Sequence, residues 1–444
     1  TWSSPLSPRA LAASLRLDDV QWDGTTLVWL EGRGAQGVLV TQTGPDAPRD
    51  LTSDLSVRAR VGYGGGDFTV ASGVVYFAGP GGRLYRQALT GGSARAITPA
   101  FGEAAAPRVS PDGRWLAYVH SYERNDCLAL VDTEGHTWPR IFADGADFIM
   151  QPAWHPQGAQ LAYIAWQHPQ MPWDGTELHL LTLDYDRDSV FVAHNDLLAG
   201  SSTVAIFQPE FSPDGRYLAY VSDQTGWNQL YVYDLQQQTH HQLTTDEADH
   251  GAPAWVQGVR TYGWSADSKY LVYIKNAQGF ESLWQYHVRS GTTKRVPGLD
   301  AYTDLAQVAV SPAENLVAVI ASSTRISPRV VSVPFGEPDV PPLLTSVPAD
   351  TPSIAVIIND GERIHRRAGT ETIPPEQLAE GQPVSWRGHD GETVYGLYYP
   401  PTSQQFTGIG APPLIVHVHG GPTSQVRAGY APVAQFFATR GYAF

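Results

Sequence analysis

The sequence predicts a mainly β protein, a seven-bladed β-propeller followed by an α/β segment. Three observations carry that prediction: a turn-and-strand unit that recurs along the chain, a supply of turn residues suited to many short strands, and a change of pattern after the last repeat. The unit reads SPDGRWLAYV at Ser110–Val119, HPQGAQLAYI at His155–Ile164, SPDGRYLAYV at Ser212–Val221, SADSKYLVYI at Ser265–Ile274 and SPAENLVAVI at Ser311–Ile320. These copies start 45 to 57 residues apart, the period of a four-stranded propeller blade with variable loops. Weaker copies at Trp22–Leu30 and Ser72–Phe77 bring the count to seven. The 43 Gly and 34 Pro, set among short Val-, Leu- and Tyr-rich runs, favour strands and turns over helices.

Each unit has a physical logic. Pro in the second place of the turn presets its φ, and Asp-Gly tolerates the tight reversal. The Leu-Ala-Tyr-Val run that follows is a buried strand. A third strand comes next, as at Gln229–Leu235, and then an outer strand that ends near Leu243–Thr244. Four short strands cannot bury both faces alone, so the blades must stack around an axis. For the Ser-Pro-Asp-Gly turns the reading is therefore scaffolding.

Composition narrows the function classes. With 42% hydrophobic and 16% charged residues the chain has material for a large core and is not disordered. A net charge of −15 argues against nucleic-acid and anionic-membrane partners, which need clustered Lys and Arg. The single Cys127 excludes an internal disulfide and points to a reducing compartment, so the chain is read as soluble and cytoplasmic. The 14 His show no metal-ligand spacing, Gly64-Gly65-Gly66 lacks the strand-helix setting of a phosphate loop, and no cofactor is expected.

The propeller is expected over 16–348, after an N-terminal extension 1–15, and to end near Ser346. Pro341, Pro342, Pro348 and Pro352 mark the start of a linker, 349–382. From 383 the pattern changes to strands at Pro383–Trp386, Val394–Tyr399 and Leu414–His419, the first two joined at His389-Asp390-Gly391 as a hairpin. Leu414–Pro422 reads LIVHVHGGP, a strand running into two glycines and a proline. In an α/β-hydrolase domain such a loop presents backbone N–H groups to the negative charge that develops in acyl transfer. A helix over Tyr430–Thr439 follows, so 383–444 is read as the N-terminal part of that domain.

The SPDG-bearing blades, the Asp390-Gly391 hairpin, the HGGP loop and the closing FFATRGYAF together resemble the prolyl-oligopeptidase family of serine peptidases, on its acylaminoacyl-peptidase and bacterial aminopeptidase side. The likeness covers nearly the whole chain. Further stretches resemble one bacterial subgroup: Arg58–Phe68, Trp166–Leu178, Ser222–Tyr231 and Pro253–Gly263. In that subgroup His-Glu precedes Tyr-Gly-Gly-Gly, whereas this chain has only Gly62 before Tyr63.

The resemblance implies hydrolysis of short peptides by a Ser-Asp-His triad. It also implies a nucleophile on a G-x-S-x-G elbow beyond HGGP, and no complete copy of that motif occurs in the sequence. A C-terminal catalytic portion is therefore expected elsewhere, on another chain or removed from this one, with homo-oligomerisation left open. Within the chain, Gly421 is the expected oxyanion donor, Gly420 is assigned to loop geometry, His419 braces the loop and His417 is a strand residue. If the loops after the second strands face the hydrolase, Trp173, Asp174 and Glu177 meet the N-terminal half of a peptide, where a carboxylate favours a free ammonium. Their other reading is loop packing. A non-catalytic binding propeller and an inactive truncated relative stay open as alternatives.

Overall fold

The computed structural model describes residues 2–11, 15–186, 189–337, 361–369, 371, 373–421 and 423–444. Seven four-stranded antiparallel sheets follow one another along the chain at 16–50, 68–96, 103–143, 148–200, 206–242, 262–295 and 304–367. They are the seven expected blades, numbered 1 to 7 in that order. The two weaker repeats are genuine, since Thr26–Arg33 and Val74–Gly79 are the second strands of blades 1 and 2. No helix among the described residues is long and apolar enough to cross a membrane. Cys127 is buried and unpaired.

The repeated turns owe their shape to the serine as much as to Pro and Gly. In blade 5 the Ser212 hydroxyl donates to Asp214 Oδ1 and accepts from the Tyr217 amide at 2.9 Å, tying the two ends of the turn. Ser265 repeats this with Asp267 and the Tyr270 amide. The glycine position is left-handed at Gly113 (φ +72°) and Gly215 (φ +73°), and Ser268 takes the same conformation (φ +59°) where blade 6 has no glycine.

The innermost strands share a second device. In blades 3, 4, 5 and 7 the ladder slips by a bulge at a left-handed residue: Ala106, Gln151, Gln208 and Gln307 (φ +49° to +57°). The kink frees glutamine side chains to bond a neighbouring blade. Gln151 Oε1 accepts from the Gln208 amide at 2.8 Å, Gln208 Oε1 from the Thr261 amide at 2.7 Å, and Gln307 Oε1 from the Arg260 amide at 3.1 Å. Two residues past three of the bulges, a carbonyl accepts an indole N–H from another blade. Trp154 donates to Arg108, Trp264 to Glu210 and Trp22 to Ala309, all at 3.0–3.1 Å. The core consists of apolar clusters between successive blades.

Blade 7 departs from the expected boundary. Its outermost strand is Arg363–Arg367, which pairs antiparallel with Ile326–Pro334 and lies inside the stretch assigned to a linker. The reason is ring closure. His365 lies 2.7 Å from Gln42 and 2.8 Å from Ser332, and Arg366 Nη2 donates to the fully buried Glu31 of blade 1 at 3.1 Å, so this polar strand seams blade 7 to blade 1. Ser346 and the prolines 341, 342, 348 and 352 fall outside the described residues.

After the ring, Gln382–Arg387 and Thr393–Tyr398 form the expected hairpin, and Pro432–Ala438 the expected helix. The expected strand at Leu414–His419 does not form a ladder. Its only sheet pairing among the described residues is one parallel bridge, Leu414 to Ala443, and Val416 and Val418 are exposed. An inner strand of a parallel sheet needs neighbours on both sides, and here it has part of one. The helix is clamped to the propeller by Gln435, fully buried, which bonds both backbone groups of Ala379 and the Thr324 carbonyl. The N-terminal extension packs on the same helix, with Trp2 N donating to Arg440 O and Arg440 Nη2 to Leu6 O.

Candidate functional site

The face opposite the SPDG turns holds the site. The loops between second and third strands emerge there, together with the crossings from one blade to the next. Along it runs the segment after HGGP. Ala428 N donates to Gly279 O at 2.8 Å, Thr303 Oγ1 donates to Ala428 O at 2.6 Å, and Asn276 Nδ2 donates to Gln425 Oε1 at 2.7 Å. Arg427 is held between Glu281 (3.1 Å) and Asp304 (3.2 Å). Burial pushes the Glu281 carboxyl up to about 7, against the pull of Arg427.

Trp255 is the centre of the arrangement. Its indole N–H donates to the Thr423 carbonyl at 2.9 Å, one face lies 4.0 Å (centroid to centroid) from Trp173, and Tyr63 meets it edge-on at 5.9 Å. Gly421 sits over the same indole: a Cβ there would come within 3.2 Å of the ring, and its backbone is left-handed (φ +70°). Both facts call for glycine. At Gly420 a Cβ would meet nothing within 4 Å, and its backbone is not left-handed. His419 Nδ1 lies 3.2 Å from the carbonyl of its chain neighbour Gly420, and His417 stacks on Phe444.

Of the three residues expected to meet substrate, the structure brings only Trp173 to the loop. Asp174 Oδ2 accepts from the Met171 amide at 3.1 Å, closing its own turn. Glu177 Oε2 lies 3.0 Å from His179 Nε2, whose ring stacks on Tyr163. That pairing supports the packing reading for Glu177. Trp255 and Tyr63 were legible only as parts of longer stretches, because nothing in a single sequence shows that two distant loops meet.

That meeting has a further effect. Gly65, in the crossing from blade 1 to blade 2, forms a parallel bridge with Gln257, in the crossing from blade 5 to blade 6, and Gln257 N donates to Gly64 O at 2.9 Å. Gly66 O accepts from Ala106 N of blade 3, and Gln257 Nε2 donates to Ile149 O of blade 4. Crossings on opposite sides of a seven-membered ring touch only over its axis, so this strap covers the axial mouth. Gly65 makes the approach possible, since a Cβ there would lie 2.3 Å from the Gln257 carbonyl oxygen. Behind the strap remains an axial cavity of about 430 Å³, lined by Arg108, Glu210 and Arg260 and walled towards the SPDG turns by Trp22, Trp154 and Trp264. Gly64-Gly65-Gly66 is thus a structural closure. Among the described residues no cluster of His, Cys, Asp and Glu suits a metal ion.

Residues 124–357 match the PD40 domain, the TolB beta propeller domain. The chain belongs to this TolB-type propeller family. Among the solved structures that share the fold are peptidases of the prolyl-oligopeptidase type. A puromycin-hydrolyzing peptidase of Mycobacterium tuberculosis superposes with a TM-score of 0.85 at 23% identity, covering 100% of this chain and 68% of that one. A puromycin hydrolase does so at 0.84 and 27% identity with the same coverage. Prolyl oligopeptidase B from Galerina marginata shares the fold at 0.69 and 12% identity, over 98% of this chain and 61% of that one. Dipeptidyl-peptidase 5 of Porphyromonas gingivalis is 24% identical over 160 residues, 35% of this chain and only 22% of that protein. The fold is thus shared, over nearly the whole chain, with these peptidases.

Proposed function

We propose that this chain is the propeller and oxyanion-loop portion of a serine peptidase that cleaves short peptides by acyl transfer to a Ser-Asp-His triad outside these residues. Residues 383–444 begin its α/β-hydrolase domain, and the activity is of the acylaminoacyl-peptidase, aminopeptidase or dipeptidyl-peptidase kind. The observation that carries the proposal is the docking of the HGGP loop on the propeller through Trp255, with Gly421 left-handed above the ring. A bare binding propeller has no use for that contact. In this reading the Gly421 N–H faces the developing oxyanion, and loss of one such donor costs about 2.7–4 kcal/mol of transition-state stabilisation. Likeness to the 27%-identical puromycin hydrolase supports small amides as substrates. Because the strap covers the axial mouth, they reach the loop from the flank between propeller and hydrolase. Trp173, Trp255 and Tyr63 line that path, with Asp174 and Glu177 at its margin.

Fluorophosphonate labelling tests the proposal. The protein extended by its downstream sequence is expected to be labelled and to hydrolyse short peptides, and the 444-residue chain is expected not to be labelled. An extended protein that is neither labelled nor active would leave the binding-module reading in its place.

A further inference from the structure

A cavity of about 590 Å³ lies away from the HGGP loop, between blades 2 and 3. Its origin is a mismatch between neighbours. The outermost strand of blade 2 is only Arg95–Ala96, whereas that of blade 3 is Arg140–Ala143, so the outer part of blade 3 faces a gap. On that face Tyr118, His120 and Tyr122 of the second strand stand beside Cys127 and Ala129 of the third.

The gap is lined for a particular kind of guest. Phe101 stacks on Tyr122 at 4.2 Å and on His120 at 5.9 Å, and Trp138 is 78% exposed at the rim, so a stacked aromatic wall stands open to solvent. Four carboxylates border it: Glu123, Asp126, Asp144 and Asp147. Arg140 is the one Lys or Arg in the lining, and it turns away, its guanidinium lying over the Trp115 and Phe191 rings and bonded to the Val190 carbonyl of blade 4. Aromatic faces and carboxylates both attract a cation, while the ring stack offers apolar surface to the group that carries it.

We propose that this cavity binds an organic ammonium ion with an aromatic body, either a small arylalkylamine or the N-terminus of a peptide that begins with an aromatic residue. The site is separate from the HGGP loop, and the proposal stands whether or not the peptidase reading does.

Calorimetric titration of the 444-residue chain tests it with five probes: phenethylammonium, 2-phenylethanol, methylammonium, and Phe-Gly-Gly amide with and without an N-acetyl group. Phenethylammonium is expected to bind about tenfold or more tighter than the alcohol or methylammonium, since each lacks one of the two attractions. Phe101→Ala and Tyr122→Ala alter exposed rings and should keep the melting temperature while weakening phenethylammonium about tenfold. Asp144→Asn should weaken it several-fold. Equal binding of amine and alcohol, or binding that survives both aromatic substitutions, overturns the proposal. Binding of the free peptide but not its acetylated form assigns the site to peptide termini, and binding of the amine alone assigns it to small amines.

Discussion

The two faces of the propeller are built on different principles. On the turn face blades 3, 5 and 6 repeat one solution, a Ser-Asp pair closing a tight reversal, and three pairs of blades are linked by indole-to-carbonyl bonds of similar length. On the opposite face the contacts that build the site have no such copies. A glycine strap crosses the axis, one tryptophan gathers Trp173, Tyr63 and the HGGP loop, and one arginine is held between two acids. Repetition stabilises the scaffold through many small equal contributions, whereas the site depends on a few contacts that have no copies elsewhere.

Glycine substitutions test this contrast most severely. Gly65 and Gly113 are both left-handed, at φ +78° and +72°, but a Cβ at Gly113 meets nothing within 4 Å and one at Gly65 overlaps the Gln257 carbonyl. Gly113→Ala is expected to cost about 1 kcal/mol in denaturant unfolding, the price of backbone strain alone. Gly65→Ala should cost about 3 kcal/mol or more and loosen the strap, seen as faster amide exchange at Gln257. Similar costs at the two positions would mean that the strap yields freely.

Arg427 comes next. Its Glu281 partner is nearly fully buried, and removing one partner of a buried pair costs about 3–5 kcal/mol. The guanidinium is 40% exposed, so Arg427→Ala should lie below that range, at about 2 kcal/mol, with increased exchange confined to residues 423–430. Unchanged exchange there would show that the Ala428 hydrogen bonds suffice to dock the segment.

The faces and the seam also answer pH with opposite signs. Glu281 is raised from its ordinary 4.5 to about 7 by burial, so the fold prefers its protonated form, and this contribution to stability is lost as pH rises from 4.5 through 7. His365 is lowered from 6.5 to about 4, by burial and then by the nearby Arg363, so the fold prefers the neutral ring, and its contribution is lost as pH falls from 6.5 through 4. Melting temperatures from pH 4 to 7 should therefore fall less steeply towards acid in His365→Gln, and less steeply towards neutrality in Glu281→Gln. Unchanged slopes would remove these two residues from the pH dependence.

How much of this was legible in the sequence follows the same division. Ser110, Ser212 and Ser265 recur in like surroundings, so their turns and blades could be counted. Arg363–Arg367 could not be assigned, because an outer strand of arginines and a histidine has no apolar alternation, and its partners Gln42 and Glu31 lie more than 300 residues away. At the site, Gly421 was readable from its place in HGGP, and its left-handed backbone against the Trp255 ring calls for glycine. Gly420 meets no neighbour that would display its role, and Trp255 was legible only inside a longer stretch because its partners come from three separate loops. Local chemistry is written in the sequence, whereas the meeting of unique loops is written only in the closed ring.

The smallest expected effect concerns the indole bridges, which test whether repetition is additive. Trp154 and Trp264 each donate one hydrogen bond to a neighbouring blade, and a neutral hydrogen bond contributes about 1 kcal/mol net. Trp154→Phe and Trp264→Phe keep an aromatic ring and should each cost about that much in denaturant unfolding. The bridges join different pairs of blades, 3 to 4 and 5 to 6, and share no partner, so the double variant should lose the sum within about 0.5 kcal/mol. A loss well beyond the sum would mean that the bridges act together around the ring, and the turn face would then depend on its contacts as collectively as the site face does.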